Sequence, residues 1–365
     1  QTEMATFIGD LVTKGEMKAK YIRTESEHAS MSICAGASAA GARAFTASAS
    51  QGIVYMEEPI WMVAGLRLPV VMAVVNRVIA WPGGLEPDHQ DSLQQRDTGW
   101  IQLYCENSQE VLDTCIQAYK IGEDERVYLP VIFAFDGYYV SHTAIPVEVP
   151  DQEEVDDFLP PYKHKYQYLD VNDPMRLGRH PGPPSLTGME TKYQMEKAME
   201  NAKKVIAEVD EEYSKKFSRR TGGLIEKYRC EDARAILITM GSMTGTAREV
   251  IDEMRGEGKP IGLVKLRAFR PFPTEEIQNL AKNVEAIGFV DRNISHGSAG
   301  GGIGCSETAR ALYSMKDRPH LIGFIAGLYG RDVTPKHIRY MAERVLRAYE
   351  KNRVEKEVEW IGLRE

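Results

Sequence analysis

Short apolar runs alternate with helix-length segments in two separate blocks of this chain, and this alternation constrains its fold more than any other feature. The runs of the first block are rich in Val and Phe, as buried parallel strands usually are, and lie at 44–47, 70–75 and 131–135. Those of the second block lie at 235–240, 261–266 and 286–290. The sequence therefore predicts an α/β protein made of two doubly wound domains.

Capping patterns predict where the intervening helices begin. Two pairs match a capping box, Asn107 with Glu110 and Thr246 with Glu249. Thr334 before a proline matches an N-cap followed by Pro at the first helical position. A strand is also expected to end at residues 21–23, before a helix at 27–41.

Composition shifts predict the domain boundaries. The first domain is expected at 1–145. Residues 146–230 combine a connector rich in proline, acidic and aromatic side chains with a long amphipathic helix at 190–217. The second domain is expected at 231–350, followed by a C-terminal tail at 351–365.

Charge and cysteine usage exclude several classes of protein. A net charge of −8 argues against nucleic acid as a partner, since there is no excess of Lys and Arg to meet phosphates. The longest apolar run, 60–75, contains Arg67 and Pro69, which argues against a membrane partner. Five scattered cysteines without a C-x-x-C pair predict no zinc or cluster site on this chain, and isolated thiols favour a cytoplasmic location.

The segment T-E-S-E-H-A-S-M-S-I-C-A-G-A-S-A-A-G-A-R, at 24–43, places acidic groups before a run of very small side chains. Ser26 can cap a helix that starts at Glu27, where the helix dipole favours a negative charge. One interpretation is a first-turn acid followed by tight helix packing. The other is a ligand site, because open α/β sheets bind ligands where helices begin after strands.

Two further segments carry polar groups at the same predicted sheet edge. The loop T-A-S-A-S-Q-G contributes Ser50, Gln51 and Gly52. Arg77 follows a buried strand, where a charge needs a partner. Either it pairs with an acid such as Asp88 or Asp91, or its guanidinium binds a substrate carboxylate in bidentate fashion. The acids and histidine at 88–91 have no second ligand cluster, so no metal site is predicted.

Several long motifs in order resemble the alpha subunit of the pyruvate:ferredoxin oxidoreductase family, thiamine-diphosphate-dependent 2-oxoacid:acceptor oxidoreductases. They are E-S-E-H-A-S-M-S-I-C-A-G-A-S-A-A-G-A-R, T-A-S-A-S-Q-G, D-H-Q-D-S-L-Q-Q-R-D-T-G-W, F-R-P-F-P and R-N-I-S-H-G. The resemblance implies a pyrimidine-binding type of first domain and a second domain like the transketolase C-terminal domain, mainly an assembly surface.

The resemblance also implies a role for each candidate residue. Glu27 would hydrogen-bond the N1′ atom of the aminopyrimidine ring and favour its imino tautomer. Arg77 would hold the substrate carboxylate. The remaining residues fall into a cofactor-binding loop, Ser50, Gln51 and Gly52, and a substrate loop, Asp88, His89 and Gln90.

The implied reaction is oxidative decarboxylation of a 2-oxoacid, foremost pyruvate, with coenzyme A to give acyl-CoA, CO₂ and a reduced acceptor. The chain has no G-D-G motif followed by Asn and no cluster-binding cysteine motif. Mg²⁺ and [4Fe-4S] clusters are therefore expected on partner subunits. These are a beta subunit that completes the thiamine diphosphate site, and gamma and ferredoxin-like delta subunits.

Two departures from the family pattern leave further possibilities open. The upstream Y-P-I-T-P segment is absent, so residues are expected to be missing before Gln1, with a small strand and helix. W-P-G-G-L-E-P stands where pyruvate enzymes tend to show P-P-W, and Gly83 and Gly84 could enlarge the pocket for a larger 2-oxoacid such as phenylglyoxylate or 2-oxoisovalerate. The sequence is also compatible with a non-redox thiamine-dependent decarboxylase or transferase, and with a non-catalytic scaffold.

Overall fold

Two open sheets form the framework of the chain in a computed structural model, which describes residues 2–80, 82–163, 169, 171–172 and 187–364. Its strands are β1 (Phe45–Ser48), β2 (Val71–Asn76), β3 (Ile101–Tyr104), β4 (Val131–Asp136), β5 (Ile225–Tyr228), β6 (Ala235–Thr239), β7 (Ile261–Leu266), β8 (Ala268–Arg270), β9 (Ala286–Asp291), β10 (His320–Ile325) and β11 (Val358–Trp360). Its helices are α1 (Thr2–Lys14), α2 (Glu27–Ala39), α3 (Gln51–Tyr55), α4 (Glu57–Gly65), α5 (Gln90–Leu93), α6 (Ser108–Glu123), α7 (Gln152–Phe158), α8 (Thr187–Phe217), α9 (Met243–Gly256), α10 (Thr274–Ala281), α11 (Ile303–Leu312) and α12 (Pro335–Lys351).

The first sheet has the strand order β1-β2-β4-β3-β8 and the second β11-β10-β9-β6-β7-β5. Most neighbours pair in parallel, and the exceptions are β8 on β3 and β5 on β7, which are antiparallel. The central strands β2 and β4 are buried along their whole length, which explains their uninterrupted apolar sequence. Two doubly wound α/β domains are thus confirmed.

Local sequence signals explain most of the elements that frame the site. Ser26 caps α2 by accepting a hydrogen bond from the Ala29 amide at 3.2 Å, as its position predicted. Asn107 caps α6 in the same way, from the Glu110 amide at 3.0 Å. Thr334 caps α12.

Two predictions from local patterns are wrong. Thr246 lies inside α9, which starts at Met243 because Gly241, at φ 69°, turns the chain directly after β6. Residues 21–23 form no strand and lead into α2 without a sheet partner. Part of the predicted connector and Trp81 lie outside the described residues.

Helix α8 covers the first sheet, and its apolar stripe matches the predicted amphipathic helix. Ala198, Ala202, Val205, Val209 and Tyr213 are all buried in the core that it shares with α6 and the sheet.

The predicted domain boundaries of 1–145, 146–230, 231–350 and 351–365 stay a prediction. Strands β5 and β11 lie outside 231–350 but belong to the second sheet, whereas β8 lies inside that range and completes the first sheet. Throughout the described part of the chain, no helix is both long and apolar enough to cross a membrane.

Candidate active site

Glu27, the first residue of α2, lies against the buried start of α3. A Cβ atom added to Gly52 would lie 2.9 Å from Glu27 Oε1 and would also collide with Ser48 Oγ. Glycine is therefore required for the glutamate to lie over this helix. Within the described residues, the exposed Glu27 carboxylate accepts no hydrogen bond, so both oxygens are free for a ligand.

Ser50 ties the loop after β1 to the chain that leaves β2. Its backbone is left-handed, at φ 53°, which is uncommon for a residue with a side chain. Its Oγ atom contacts the Val78 carbonyl and Gln51 Oε1, and its amide donates to Asp91 Oδ2 at 2.8 Å. The strained residue thus fixes the cofactor-binding loop predicted from Ser50, Gln51 and Gly52.

Asp91 is the buried centre of this edge, although the sequence suggested it only as a partner for Arg77. Its Oδ2 atom accepts the amides of Ser50 and Arg77, and its Oδ1 atom accepts Asn76 Nδ2 and the Ser92 amide, all at 2.8–3.0 Å. Burial raises the pKa of Asp91 to about 6, although these donors lower it. Asp91 therefore shapes the main chain at the edge of the site.

The guanidinium of Arg77 is not paired with either candidate acid. Asp91 binds the Arg77 amide and Asp88 Oδ1 accepts the Gln90 amide, so of the two alternatives left open by the sequence, the ion pair with one of these acids does not form. Arg77 Nε is buried and has no hydrogen-bond partner among the described residues. An unpaired guanidinium fits the interpretation in which Arg77 receives a carboxylate from outside the chain.

His89 and Asp88 are buried inside the protein. His89 Nε2 lies 2.7 Å from Asp136 Oδ1 at the end of β4, while the His89 amide donates to the Arg292 carbonyl at 2.9 Å. Burial raises the pKa of Asp88 to about 6. Gln90 is half-buried and receives a weak bond from the Ile294 amide at 3.4 Å. This burial favours a positioning role for the predicted substrate-loop residues over direct contact with a ligand.

Asp136 and Arg292 are site residues that the sequence analysis missed. Arg292 Nη1 lies 2.9 Å from Asp136 Oδ1, and the Ser242 amide donates to Asp136 Oδ2 at 2.7 Å. Burial would raise the pKa of Asp136, but Arg292 and His89 outweigh it and hold that pKa below its ordinary value. The signal that pointed to Arg77, a charge at the end of a buried strand, also applies to Asp136 and could have found it.

The residues at this edge fit the pyrimidine end of thiamine diphosphate. Among the described residues, Glu27 accepts no hydrogen bond and could bind a ring nitrogen, and Arg77 Nε has no hydrogen-bond partner. Gly52 lets the glutamate lie against α3. In the described part of the chain, no group of three His, Cys, Asp or Glu side chains could hold a metal ion. The five cysteines are separate free thiols.

Two family models match the chain. The model described as pyruvate flavodoxin/ferredoxin oxidoreductase, thiamine diphosphate-binding, matches residues 1–211. The model described as pyruvate:ferredoxin oxidoreductase core domain II matches residues 233–338.

Curated relatives match almost the whole chain. Pyruvate synthase subunit PorA of Pyrococcus abyssi is 46% identical over 98% of this chain and 89% of its own length. Ketoisovalerate oxidoreductase subunit VorA of Pyrococcus horikoshii is 42% identical over 100% of this chain and 91% of its own length.

Solved structures share the fold. A 2-oxoglutarate:ferredoxin oxidoreductase from Magnetococcus marinus gives a TM-score of 0.65 at 18% identity, over 94% of this chain and 60% of that one. A split-gene transketolase gives 0.51 at 14% identity, over 88% of this chain and 82% of that one. The predicted resemblance is confirmed, and the chain belongs to the pyruvate:ferredoxin oxidoreductase family as a counterpart of its alpha subunits.

Proposed function

We propose that this chain supplies the pyrimidine-binding half of an active site that oxidatively decarboxylates pyruvate. Coenzyme A would accept the acyl group, and ferredoxin or a similar acceptor would take the electrons. The observation that carries the proposal is a pair of groups at one sheet edge without a hydrogen-bond partner among the described residues, the exposed Glu27 carboxylate beside Gly52 and the buried Arg77 Nε. The 46% identity to a pyruvate synthase subunit supports pyruvate as the substrate.

The chain's own residues would bind and orient the reacting groups. Thiamine diphosphate, when bound, supplies the nucleophilic carbon for a 2-oxo group and the electron sink for loss of CO₂. Glu27 would accept a hydrogen bond from the pyrimidine N1′ atom and hold a proton there. Arg77 would grip the substrate carboxylate through two N–H groups and orient the bond that breaks.

The overall reaction fixes what the partners must supply. Pyruvate and the coenzyme A thiol give acetyl-CoA, CO₂, one proton and two electrons. We assign the electron-accepting [4Fe-4S] clusters and Mg²⁺ to beta, gamma and delta partner subunits, and the complex to the cytoplasm. The relative that is named as a subunit, pyruvate synthase subunit PorA, supports an assembly with further subunits.

A larger 2-oxoacid is the second candidate. Gly83 is exposed, and a Cβ atom there would meet none of the described residues within 4 Å, whereas one on Gly84 would meet the Glu86 carboxylate. The 42% identity to a ketoisovalerate oxidoreductase subunit makes 2-oxoisovalerate the leading example, with phenylglyoxylate as an aromatic one.

The test is dye reduction by the natively purified complex with coenzyme A, across pyruvate, 2-oxoisovalerate, 2-oxoglutarate and phenylglyoxylate. We expect the highest kcat/KM with pyruvate. A higher kcat/KM with a larger 2-oxoacid would contradict pyruvate as the substrate and support the second candidate. Release of CO₂ without dye reduction would overturn the redox function and favour a non-redox thiamine enzyme.

A further inference from the structure

The segment that links Arg77 to Asp88 has little internal hydrogen bonding among its described residues. This linking loop, residues 78–87 without Trp81, has one backbone hydrogen bond of its own there, from the Val78 amide to the Glu86 carbonyl at 3.0 Å. Gly83 and Leu85 are exposed. Such a loop needs contacts from elsewhere to keep Arg77 and Asp88 at a constant separation.

The second domain supplies those contacts from a short segment after β10. This clamp, residues 327–332, holds the linking loop at two places. Tyr329 Oη donates to the Pro82 carbonyl at 2.8 Å and lies 3.4 Å from the Ile79 carbonyl. The Gly330 amide donates to the Pro87 carbonyl at 3.3 Å.

The backbone conformation of the clamp allows it to pack closely against the linking loop. Gly327, Tyr329 and Gly330 are all left-handed, at φ 78°, 51° and 65°. A Cβ atom on Gly330 would lie 2.9 Å from Glu86 Cβ, so only glycine lets the two loops pack this closely. Tyrosine in the left-handed region is uncommon, and such residues persist where their surroundings or their role demand it.

The clamp is also attached to the first domain through Tyr139, which follows β4. Tyr139 Oη lies 3.2 Å from the Gly330 carbonyl and 3.0 Å from Asp332 Oδ1. Tyr139 thus attaches the clamp to the first sheet. Asp136 lies at the end of β4 in that sheet, and Ser50 lies in the loop after β1, two strands from β4. The clamp, itself bound to Tyr139, therefore contacts the linking loop at Pro82 and at Pro87.

We propose that Tyr329 is a positioning residue that sets the geometry of the linking loop and thereby the fit of the 2-oxoacid. It acts through Pro82 and Ile79 on the chain between Arg77 and Asp88, and it touches no reacting atom. The inference rests on the proposed function of Arg77 as the carboxylate-binding residue. It assigns to the second domain a part in substrate selection.

The test compares Tyr329→Phe with Tyr340→Phe in the purified complex. Tyr340 is a matched control, because its hydroxyl donates to Glu359 at 2.9 Å in the same domain, away from the linking loop. We expect Tyr329→Phe to raise the KM for the preferred 2-oxoacid about 3- to 10-fold, the factor that one hydrogen bond contributes, with kcat changed less than about twofold. The ratio of kcat/KM between pyruvate and 2-oxoisovalerate should also change. Tyr340→Phe should leave all three quantities unchanged.

Amide hydrogen exchange supplies a readout that does not depend on turnover. Peptides covering 78–87 should exchange faster in Tyr329→Phe than in the wild type or in Tyr340→Phe. Unchanged exchange, or faster exchange with an unchanged KM and substrate ratio, would overturn the inference. If the wild-type complex oxidised no 2-oxoacid, the proposed function would fail instead, and this inference would fail with it, whatever the exchange showed.

Discussion

The charged side chains of the candidate site fall into two groups with opposite surroundings. Asp91 and Asp136 are fully buried, and both oxygens of each carboxylate accept hydrogen bonds from named donors. Glu27 is exposed, and Arg77 Nε is unpaired among the described residues. Because buried polar groups need partners, the first group maintains structure while the second has capacity left for a ligand.

Replacing Glu27 by Gln should nearly abolish turnover while the complex still assembles. The amide keeps the size of the side chain but loses the negative charge that would hold a proton on the cofactor ring. We expect kcat to fall by about 10²- to 10⁴-fold, the range for a lost acid–base group. Dye reduction with the preferred 2-oxoacid measures it, and size-exclusion chromatography checks assembly.

Glu25→Gln is the matched control for this change, since Glu25 is an exposed carboxylate two residues away whose oxygen contacts Ser26 Oγ at 3.3 Å. It should turn over like the wild type. Equal turnover by all three proteins would remove Glu27 from the chemistry and support a non-catalytic scaffold role for the chain.

Residue-level prediction from the sequence worked where a side chain's position along the chain decides its surroundings. Glu27 and Arg77 were predicted from a helix start and a strand end, and the structure places both at the expected edge. The partners of Asp91 could not be predicted, because they depend on how three loops meet. The roles of Glu27 and Arg77 toward a cofactor or substrate stay a prediction.

At the scale of elements, α2 shows why small residues follow Glu27. Met31, Cys34, Ala35 and Ser38 form its buried face. Gly36 is exposed, and a Cβ atom there would meet none of the described residues within 4 Å. Packing among these residues therefore does not require glycine at this position, and we propose that it allows close approach by a cofactor or a partner subunit.

Gly36→Ala should stabilise the isolated chain by about 0.5–1 kcal/mol, because alanine loses less conformational entropy in a helix interior. The urea midpoint of unfolding measures the change. Gly65→Ala is the control: Gly65 also has nothing within 4 Å but ends α4, so its gain should be smaller. A loss of stability in Gly36→Ala would contradict the open environment of this residue.

Gly36→Ala should weaken assembly of the complex if the glycine allows a partner subunit to approach α2 closely. The fraction of chain recovered in the complex measures this separately from the stability of the chain. Full assembly together with normal thiamine diphosphate affinity would leave the choice of Gly36 without a structural reason.

Element-level prediction missed β3, β5, β8, β10 and β11, placed a strand at 21–23 that does not form, and misplaced one helix start. β8 and β11 have three residues each, too few for an alternating pattern to stand out. β8 is a strand only because the chain leaving β7 passes beside β3. The capping box at Thr246 was overridden by the turn at Gly241, a tertiary effect that local pattern cannot show.

At the scale of the whole molecule, a buried cluster of charges joins the two domains. Lys265 on β7 lies 3.0 Å from Glu110 in the first turn of α6, 3.3 Å from Glu226 and 3.5 Å from Glu106. Burial raises the pKa of Glu110 above its ordinary value, while Lys265 lowers it. Two arginines share these carboxylates, since Arg267 Nε lies 3.6 Å from Glu110 and Arg248 Nη2 lies 3.1 Å from Glu106 and 3.0 Å from Glu226.

Lys265→Met should lower the free energy of unfolding by up to about 3–5 kcal/mol, since it removes the cation nearest the buried Glu110 carboxylate. Lys259→Met is the control, because Lys259 contacts Glu257 and Glu343 at the surface and should cost at most about 1 kcal/mol. Chemical denaturation measures both. If Lys265→Met lowered the free energy of unfolding as little as Lys259→Met, the interface would tolerate the loss of this cation.

Strand β8 has a consequence for how the chain must be made. Residues 268–270 cover the edge of β3, so the first sheet stays open on that side while more than a hundred later residues are still being synthesised. An open, apolar strand edge is a template for pairing with other chains. An incomplete first domain thus emerges from the ribosome, and the strand that protects its edge follows only after β5, β6 and β7 of the second sheet.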